Sequence, residues 1–375
     1  MKILILSNSN SEHTQKWATH LAQKGFEIGI FSFKKCETDI YRYRENIKIL
    51  YEPREQKGHL GLLNKLSYMF LLKKLKKAIK EFEPDVLHAH YVSSYGLLGA
   101  LSGFKNFVVS AWGSDILEFP QKNMLFENIV QFVLRKAKRI TVSSDFLQRE
   151  ISIYTTKKVV VVPFGIDTRI FYPEENSNTE LVFCSTKHLE QVYNIETIIR
   201  AFKLLLDIHG NVRLKIAGDG TQSSVLRTLC GHLNISKNVE FAGRIPNNQI
   251  PAFLNSADVL INIPDNESFG VSVIEGMACK KGLIVSNIPA FETLVQDKKN
   301  GFKIDPVKIE TLYLAMEKYL LNRDLVILHG NTNRKKVEEE FDLSTSLYQM
   351  GTIYSEFNNL HSLPIPSIAV LKKTA

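Results

Sequence analysis

The chain has 375 residues, 44% hydrophobic and 23% charged, a balance that excludes a disordered or fibrous protein and leaves room for two domains of roughly 150 to 200 residues each. Net charge is +8, with 25 basic and 16 acidic residues up to Asp167 but 22 and 23 beyond it. That bias points to nucleic acid, an anionic membrane or a phosphate-bearing substrate, and the lack of any recognition-helix, RNA-binding or zinc-finger pattern puts nucleic acid last. No stretch approaches about eighteen apolar residues, and the opening MKILILSNSN is too short an apolar run for a signal peptide, so a cytoplasmic protein is expected. Cys36, Cys184, Cys230 and Cys279 are scattered without metal-ligand or disulfide spacing and read as small core residues.

Lys2 to Leu6 reads as a strand, Glu12 to Lys24 as a helix stopped by Gly25, and Glu27 to Phe33 as a second strand. This is the opening βαβ of a doubly wound sheet. The serines and asparagines of residues 7 to 11 between them can cap the helix or bind a ligand. His13, just inside the helix, either faces the ligand side or lies on the surface. Residues 59 to 82 form a long helical pattern. Tyr68, Leu71, Leu72, Leu75, Ala78, Ile79 and Phe82 make the stripe expected to pack on the sheet. Lys73, Lys76, Lys77 and Lys80, with Leu62, Leu66, Met69 and Phe70 on their side, make an outward surface suited to an anionic membrane and without a nearby acid. A break near Ser67 is the competing expectation. Pro84 to His90 returns as a strand with His88 and His90 on one face, and His90 stands at its C-terminal end, where open α/β sheets bind ligands. An acceptor-side contact and structural packing both remain open for it. Phe107 to Ala111 exits into Trp112-Gly113-Ser114-Asp115. Trp112 can stack but cannot move a proton, and Asp115 either orients or deprotonates a hydroxyl or caps the turn. Two further strands, Ile140 to Ser143 and Val159 to Val162, complete the sheet, and the proline and glycine of Pro163-Phe164-Gly165 suit a hinge. Domains of residues 1–165 and 166–342 are therefore expected.

The second domain opens with Leu181 to Cys184, followed by Ser185-Thr186-Lys187-His188-Leu189. Strands at Val212 to Gly218 and Val239 to Gly243 come next, the latter reaching Arg244-Ile245-Pro246. Ala257 to Ile263 is an apolar run ended by Pro264, and Val271 to Cys279 reads as a helix. The loop between delivers Glu267, Phe269 and Gly270 to a helix N-terminus, where unpaired N–H groups and the dipole favour a phosphate and Gly270 lets the backbone come close. Glu267 and Glu275, seven residues apart in this stretch, would repel a phosphate lying between them and so suit the neutral hydroxyls on either side of it. Carboxylates accept paired hydroxyls well, which describes the ribose and sugar diols of a nucleotide-sugar. Two solvated acids on an ordinary amphipathic helix are the plainer alternative. Helices near Ile309 to Leu321, Asp324 to Phe341 and Leu343 to Phe357 follow, and residues 361–375 read as a loose tail.

The run ESFGVSVIE, followed by Met277-Ala278-Cys279 and Pro289-Ala290-Phe291-Glu292, resembles the E-x7-E signature of the retaining glycosyltransferases of family 4, and the similarity runs over nearly the whole chain. The resemblance implies an α/β GT-B fold, two Rossmann-like doubly wound domains facing across a cleft, the donor held mainly by the second and the helix at 343–357 packing back on the first. It implies Glu267 beside the donor sugar, Glu275 on the ribose, backbone at Phe269, Gly270 and Val271 against sugar and phosphates, and Arg244 and Ile245 at the base. The chain departs from the pattern in two places. Many relatives have histidine where Trp112 stands, which leaves Asp115 as the catalytic candidate on an acceptor side that also holds His90, Trp112 and His13. Most relatives also have Gly-Arg before the leucine at 189 and Lys-Gly a few residues later, two cations that clamp the diphosphate; here those positions are His188, Tyr193 and Asn194. Lys187 is the replacement expected, because a cation beside a leaving group that gains charge stabilises the transition state more than the ground state. Tyr193 and Asn194 would add neutral hydrogen bonds, as in a polysaccharide-assembling branch that this stretch resembles.

The implied activity is transfer, with retention, of a sugar from a nucleoside diphosphate donor to a hydroxyl of a lipid-linked or saccharide acceptor in surface polysaccharide or glycolipid assembly. No metal or other cofactor is expected, since no Asp-x-Asp follows a strand to hold one. The expected partners are donor, acceptor and an anionic membrane surface, with no nucleic acid. A nucleotide-sugar epimerase of the same fold and a catalytically silent sugar- or lipid-binding scaffold are the alternatives, and intact Glu267 and Glu275 weigh against the scaffold.

Overall fold

The computed structural model of the chain describes residues 1–54, 65–175 and 178–357. It divides into two compact units, Met1–Phe164 together with the chain from Ser344 onward, and Gly165–Leu343.

The first unit runs β1 (Lys2–Leu6), α1 (Glu12–Gln23), β2 (Glu27–Phe31), β3 (Ile47–Tyr51), α2 (Lys65–Phe82), β4 (Val86–His90), α3 (Tyr95–Ser102), β5 (Phe107–Ala111), α4 (Ser114–Leu117), α5 (Met124–Lys136), β6 (Arg139–Val142), α6 (Asp145–Ile151) and β7 (Val159–Val161). Its sheet has the order β3-β2-β1-β4-β5-β6-β7, and every pairing is parallel. β4 and β5 are buried along their whole length, which is why they read as unbroken apolar runs: helices cover both faces of a parallel sheet. The edge strand β3 escaped the sequence reading because it is half-buried and interrupted by Lys48. Asn123 and Ser144 start α5 and α6 by accepting hydrogen bonds from Phe126 N and Leu147 N, the usual satisfaction of orphan helix donors.

α2 is one continuous helix from Lys65, so the expected break near Ser67 does not occur. Leu71, Leu75, Ala78 and Phe82 are buried, with Tyr68, Leu72 and Ile79 packed beside them. Lys73, Lys76, Lys77 and Lys80 are exposed, as are Met69 and Phe70, 59% and 54% accessible. Lys77 has Glu81 3.5 Å away, so the expectation of lysines without a nearby acid is corrected. Leu62 and the side chain of Leu66 lie outside the described residues. No helix among the described residues is long and apolar enough to cross a membrane.

The second unit runs β8 (Leu181–Thr186), α7 (Ile195–His209), β9 (Val212–Ala217), α8 (Ser223–His232), β10 (Val239–Gly243), α9 (Ile250–Asn255), β11 (Val259–Asn262), α10 (Val271–Ala278), β12 (Gly282–Ser286), β13 (Phe302–Ile304), α11 (Ile309–Leu321) and α12 (Asp324–Lys336). The sheet order β10-β9-β8-β11-β12-β13, all parallel, is the 3-2-1-4-5-6 order of a dinucleotide-binding fold. The helix expected to reach Phe341 stops at Lys336 and gives way to a wider π turn at Val337–Phe341. Phe341 O then accepts from Ile166 N, and Leu343 N donates to Ile166 O, 2.8 and 3.0 Å. The last helix, α13 (Leu343–Ser355), groups from Ser344 with the first unit. There Tyr354 Oη lies 2.7 Å from His88 Nδ1.

Candidate active site

In the second unit the strand order reverses between β8 and β11, and a crevice outside the carboxyl ends of strands at such a point is where open α/β sheets hold ligands. The two loops that leave these strands carry Lys187 to Asn194 and Ile263 to Gly270. They are laced together by short hydrogen bonds. Asp265 N donates to Val192 O at 2.9 Å, and Asn194 Nδ2 donates to Ile263 O at 3.0 Å and to Asp265 Oδ1 at 2.7 Å. Asn194, in the left-handed region at φ 53°, immediately precedes α7. Its amide is committed to the neighbouring loop, so its expected role as a donor to the diphosphate is corrected to that of a brace.

Across this lacing Lys187 Nζ meets Glu267 Oε2 at 2.6 Å, with side chains only 13% and 19% accessible. Lys187 also lies over the Tyr193 ring, 5.1 Å from its centroid, a cation–π contact. Burial opposes ionisation of Glu267, but the charge and hydrogen bond of Lys187 and the N–H groups of Ser268 and Phe269 outweigh it and hold the carboxyl below the usual range. His188, at one of the positions where a clamp cation was expected, is exposed.

Gly270 precedes α10 at φ 91°, and a Cβ there would stand 2.5 Å from Phe291 Cε1. Only glycine allows both the conformation and the contact. α10 therefore starts directly behind the Glu267 loop, its first N–H groups unsatisfied by the helix itself. Phe269 turns inward, 3% accessible, near Phe341, so backbone rather than ring is presented at this position. Glu275 is half-buried on the same helix. The loop after β9 closes the other side: a Cβ on Gly218, at φ 139°, would stand 2.0 Å from Lys187 O, which fixes how near the two backbones come. Arg244 is exposed and Ile245 half-buried just beyond β10.

One positioning residue escaped the sequence reading. The Arg334 guanidinium donates to Ala278 O, Phe171 O and Thr168 O at 2.9, 2.6 and 3.1 Å and to Glu338 at 2.6 Å. It therefore holds the C-terminal end of α10, whose N-terminus faces the site, yet no local signal distinguishes it from any helix arginine.

The first unit has its own reversal, between β1 and β4, and the side chains gathered there are aromatic and neutral. His13 stacks on Phe164, centroids 3.9 Å apart, and meets Trp112 edge-on at 5.6 Å, so the surface reading of His13 is corrected. Trp112 also lies 4.4 Å from His90 and 5.4 Å from Tyr91. Below them His88 Nε2 reaches Ser110 Oγ at 2.7 Å, and Ser110 continues to Thr141. Burial pushes His88 down to about 3; burial, with Lys16 nearby, does the same to His13. Burial and the neighbouring His88 and His13 take His90 well below the ordinary histidine value. A cavity of about 10 Å³ among His88, His90, Ser110, Trp112, Ser143 and Phe164 has room for one water. His90 Nδ1 and Ser143 Oγ have no hydrogen-bond partner among the described residues.

Asp115 does not belong to the reactive set. It is 1% accessible, and its oxygens accept from Val92 N at 2.7 Å, Trp112 N at 3.1 Å and Gly113 N at 2.9 Å. Burial raises its pKa while those three N–H groups oppose the rise. The catalytic role expected of it is corrected: the carboxyl ties the loop after β5 to the loop after β4 and has no path to an acceptor hydroxyl.

Comparison with known proteins gives the family. Residues 2–144 match a family model described as glycosyl transferase 4-like, and residues 167–338 match one described as glycosyl transferases group 1. The chain is 24% identical over 347 residues to an uncharacterized glycosyltransferase of Methanocaldococcus jannaschii, covering 90% of this chain and 92% of that one. It is 22% identical over 263 residues to the alpha-monoglucosyldiacylglycerol synthase of Acholeplasma laidlawii, 62% of this chain and 66% of that one. Among solved structures, Anabaena HepE in complex with UDP superposes with a TM-score of 0.79 at 16% identity, over 95% of this chain and 100% of that one. The first match takes in most of the first unit and the second nearly all of the second, and the chain belongs to the GT-B glycosyltransferases of family 4.

Proposed function

We propose that this glycosyltransferase moves a sugar, with retention of anomeric configuration, from a nucleoside diphosphate sugar to a hydroxyl of a saccharide or lipid-linked acceptor in surface polysaccharide or glycolipid assembly. The observation that carries this reading is the meeting of Lys187 and Glu267 at 2.6 Å beside the N-terminus of α10. A cation, a helix dipole and a sugar-binding carboxylate at one strand-order reversal suit a diphosphate bonded to a sugar. In the reaction the bond from the sugar C1 to the β-phosphate oxygen breaks with its electron pair leaving on the nucleoside diphosphate. The acceptor oxygen bonds to C1 and its proton passes to the departing diphosphate. We assign the developing charge to Lys187 and the α10 N–H groups, without a metal. Glu267 takes the sugar hydroxyls, Glu275 the ribose, and Arg244 and Ile245 the base. Trp112 and His13 serve the acceptor side through ring faces rather than proton transfer, and His90, buried and packed on Trp112, backs them instead of meeting the acceptor as expected. HepE supports the donor class, being solved with UDP.

A thermal-shift screen with nucleoside diphosphates and their sugars tests the donor assignment, since a ligand that binds only the folded state raises its melting temperature. At least one is expected to do so, and a flat response across uridine, guanosine, adenosine, cytidine and thymidine series would defeat it.

We assign the enzyme to an anionic membrane surface through α2. Met69 and Phe70 are exposed on the same side as Lys73, Lys76 and Lys80, and each cation near such a surface contributes about 1 kcal/mol. Vesicle sedimentation that rises with anionic lipid in the wild type and drops when Lys73, Lys76, Lys77 and Lys80 are all changed to Gln is the expected result. Binding indifferent to both changes would overturn it.

A further inference from the structure

Lys187 is paired with an anion of the protein itself. Its ammonium is 2.6 Å from Glu267 Oε2, both side chains are largely shielded from water, and Ser268 N donates to the other carboxylate oxygen at 3.0 Å. The pair has no net charge, and the loops that carry it are fastened to each other by the Asn194 and Asp265 bonds. Two anions must therefore compete for one cation when a diphosphate arrives, one of them fixed in the protein.

We infer that Glu267 and Lys187 form an exchange pair that favours a sugar-bearing nucleotide over the bare diphosphate and so promotes release of the product. This rests on the donor-site reading above. A donor brings hydroxyls to Glu267, which replace the ammonium as hydrogen-bond donors and free Lys187 to turn to the phosphates. Transfer removes the sugar. Glu267 then has no hydroxyl partner, takes Lys187 back, and the nucleoside diphosphate is left with a weaker cation and a facing carboxylate. The Tyr193 ring, 5.1 Å from the ammonium, holds Lys187 along the way between its two anions. Glu267 is on this account a positioning residue for Lys187 as well as a sugar contact.

Calorimetric titration of the full chain with inorganic pyrophosphate and with uridine diphosphate tests this, using Glu267→Gln, Lys187→Met and the double variant. Pyrophosphate carries neither base nor sugar, so that arm reads the pair whatever donor the enzyme takes. Glu267→Gln is expected to bind pyrophosphate on the order of tenfold more tightly than wild type, Lys187→Met on the order of tenfold more weakly. In the Lys187→Met background the Glu267→Gln change is expected to shift affinity less than about threefold, since the cation it releases is gone. The double variant neutralises both ends and keeps the test open where one single variant folds poorly. Lys187→Met weakening with Glu267→Gln equal to or weaker than wild type would leave the donor site standing and overturn the exchange pair. Pyrophosphate binding to neither the wild type nor Glu267→Gln would overturn both the exchange pair and the assignment of Lys187 to the diphosphate.

Discussion

The two units repeat one topology and fill it with opposite chemistry. Both sheets reverse strand order beside their first strand, β1 with β4 and β8 with β11, and both gather loops at the carboxyl ends there. In the second unit that place holds a charged pair, Lys187 and Glu267, with some access to water. In the first it holds His13, His88, His90, Trp112 and Phe164 in mutual ring contact, with histidines held neutral by burial. A parallel sheet fixes where a ligand goes; the side chains decide what it is. A charged pair that gives up one member suits a substrate whose charge changes during reaction, whereas a closed aromatic surface suits a neutral ring face that need only be placed.

The largest expected effects separate the two regions by chemistry. Glu267→Gln is expected to lower the single-turnover rate by roughly 10²- to 10³-fold, the usual cost of losing one preorganised group at a reacting centre, with a loss of stability of up to about 3 kcal/mol because the largely shielded Lys187 is left without its carboxylate. Lys187→Ala should lower kcat more than donor affinity, as leaving-group charge is greatest in the transition state. Glu275→Gln should chiefly weaken nucleotide binding. Full transfer activity in Glu267→Gln would undo the contrast at its charged end.

Asp115 gives the reverse pattern. Three backbone N–H groups lose their acceptor in Asp115→Ala, and leaving a donor buried and unsatisfied costs about 1 to 3 kcal/mol for each. Denaturant unfolding should register that loss, while the rate of the chemical step in the folded fraction stays within about tenfold of wild type. A stable Asp115→Ala that is inactive would restore it as an acceptor base.

What the sequence made legible follows the range of the interactions. Most strands of both sheets, the loop with Glu267 and Gly270 and the helix behind it are local patterns, set by runs of apolar residues and one glycine, and they stand where expected, whereas β3, β12 and β13 escape the sequence reading. Glu267 and Glu275 are legible by their spacing. The Lys187 partner is different: Glu267 is 80 residues away, and nothing near Lys187 announces which acid it meets. Asp115 misled because a carboxylate after a strand looks reactive, while the backbone N–H of Val92, 23 residues earlier, is invisible as a sequence feature. In the sequence His13 stays open between the ligand side and the surface because its stacking partner, Phe164, comes from the far end of the unit. Asn194 was read as a ligand contact for the same reason, its partners Ile263 and Asp265 lying in a distant loop.

The smallest expected effect is in how each region responds to acid. His13 and His88 are pushed from the ordinary 6.5 down to about 3, so the unfolded chain takes up their protons near pH 6.5 and the folded chain does not. The stability they contribute is complete above that value and is lost as pH falls from about 6.5 toward about 3, at up to about 1.4 kcal/mol per pH unit for each histidine. Glu267, held below its ordinary 4.5, contributes stability above the carboxylate range that is lost only as pH falls through its lower folded value. Asp115, raised by burial, acts in the opposite sense, and an Asp115→Asn background removes it. Between pH 7 and pH 5.5 the first unit should therefore weaken while the pair in the second stays intact. Urea unfolding across that interval is expected to give a shallower pH slope in His88→Phe than in its parent, by about 0.6 of a proton on average, and an unchanged slope in Glu267→Gln. A parent and a His88→Phe variant with the same slope would mean that His88 titrates inside the fold as it does in water, and the neutral character of the first unit's cluster would fall with it.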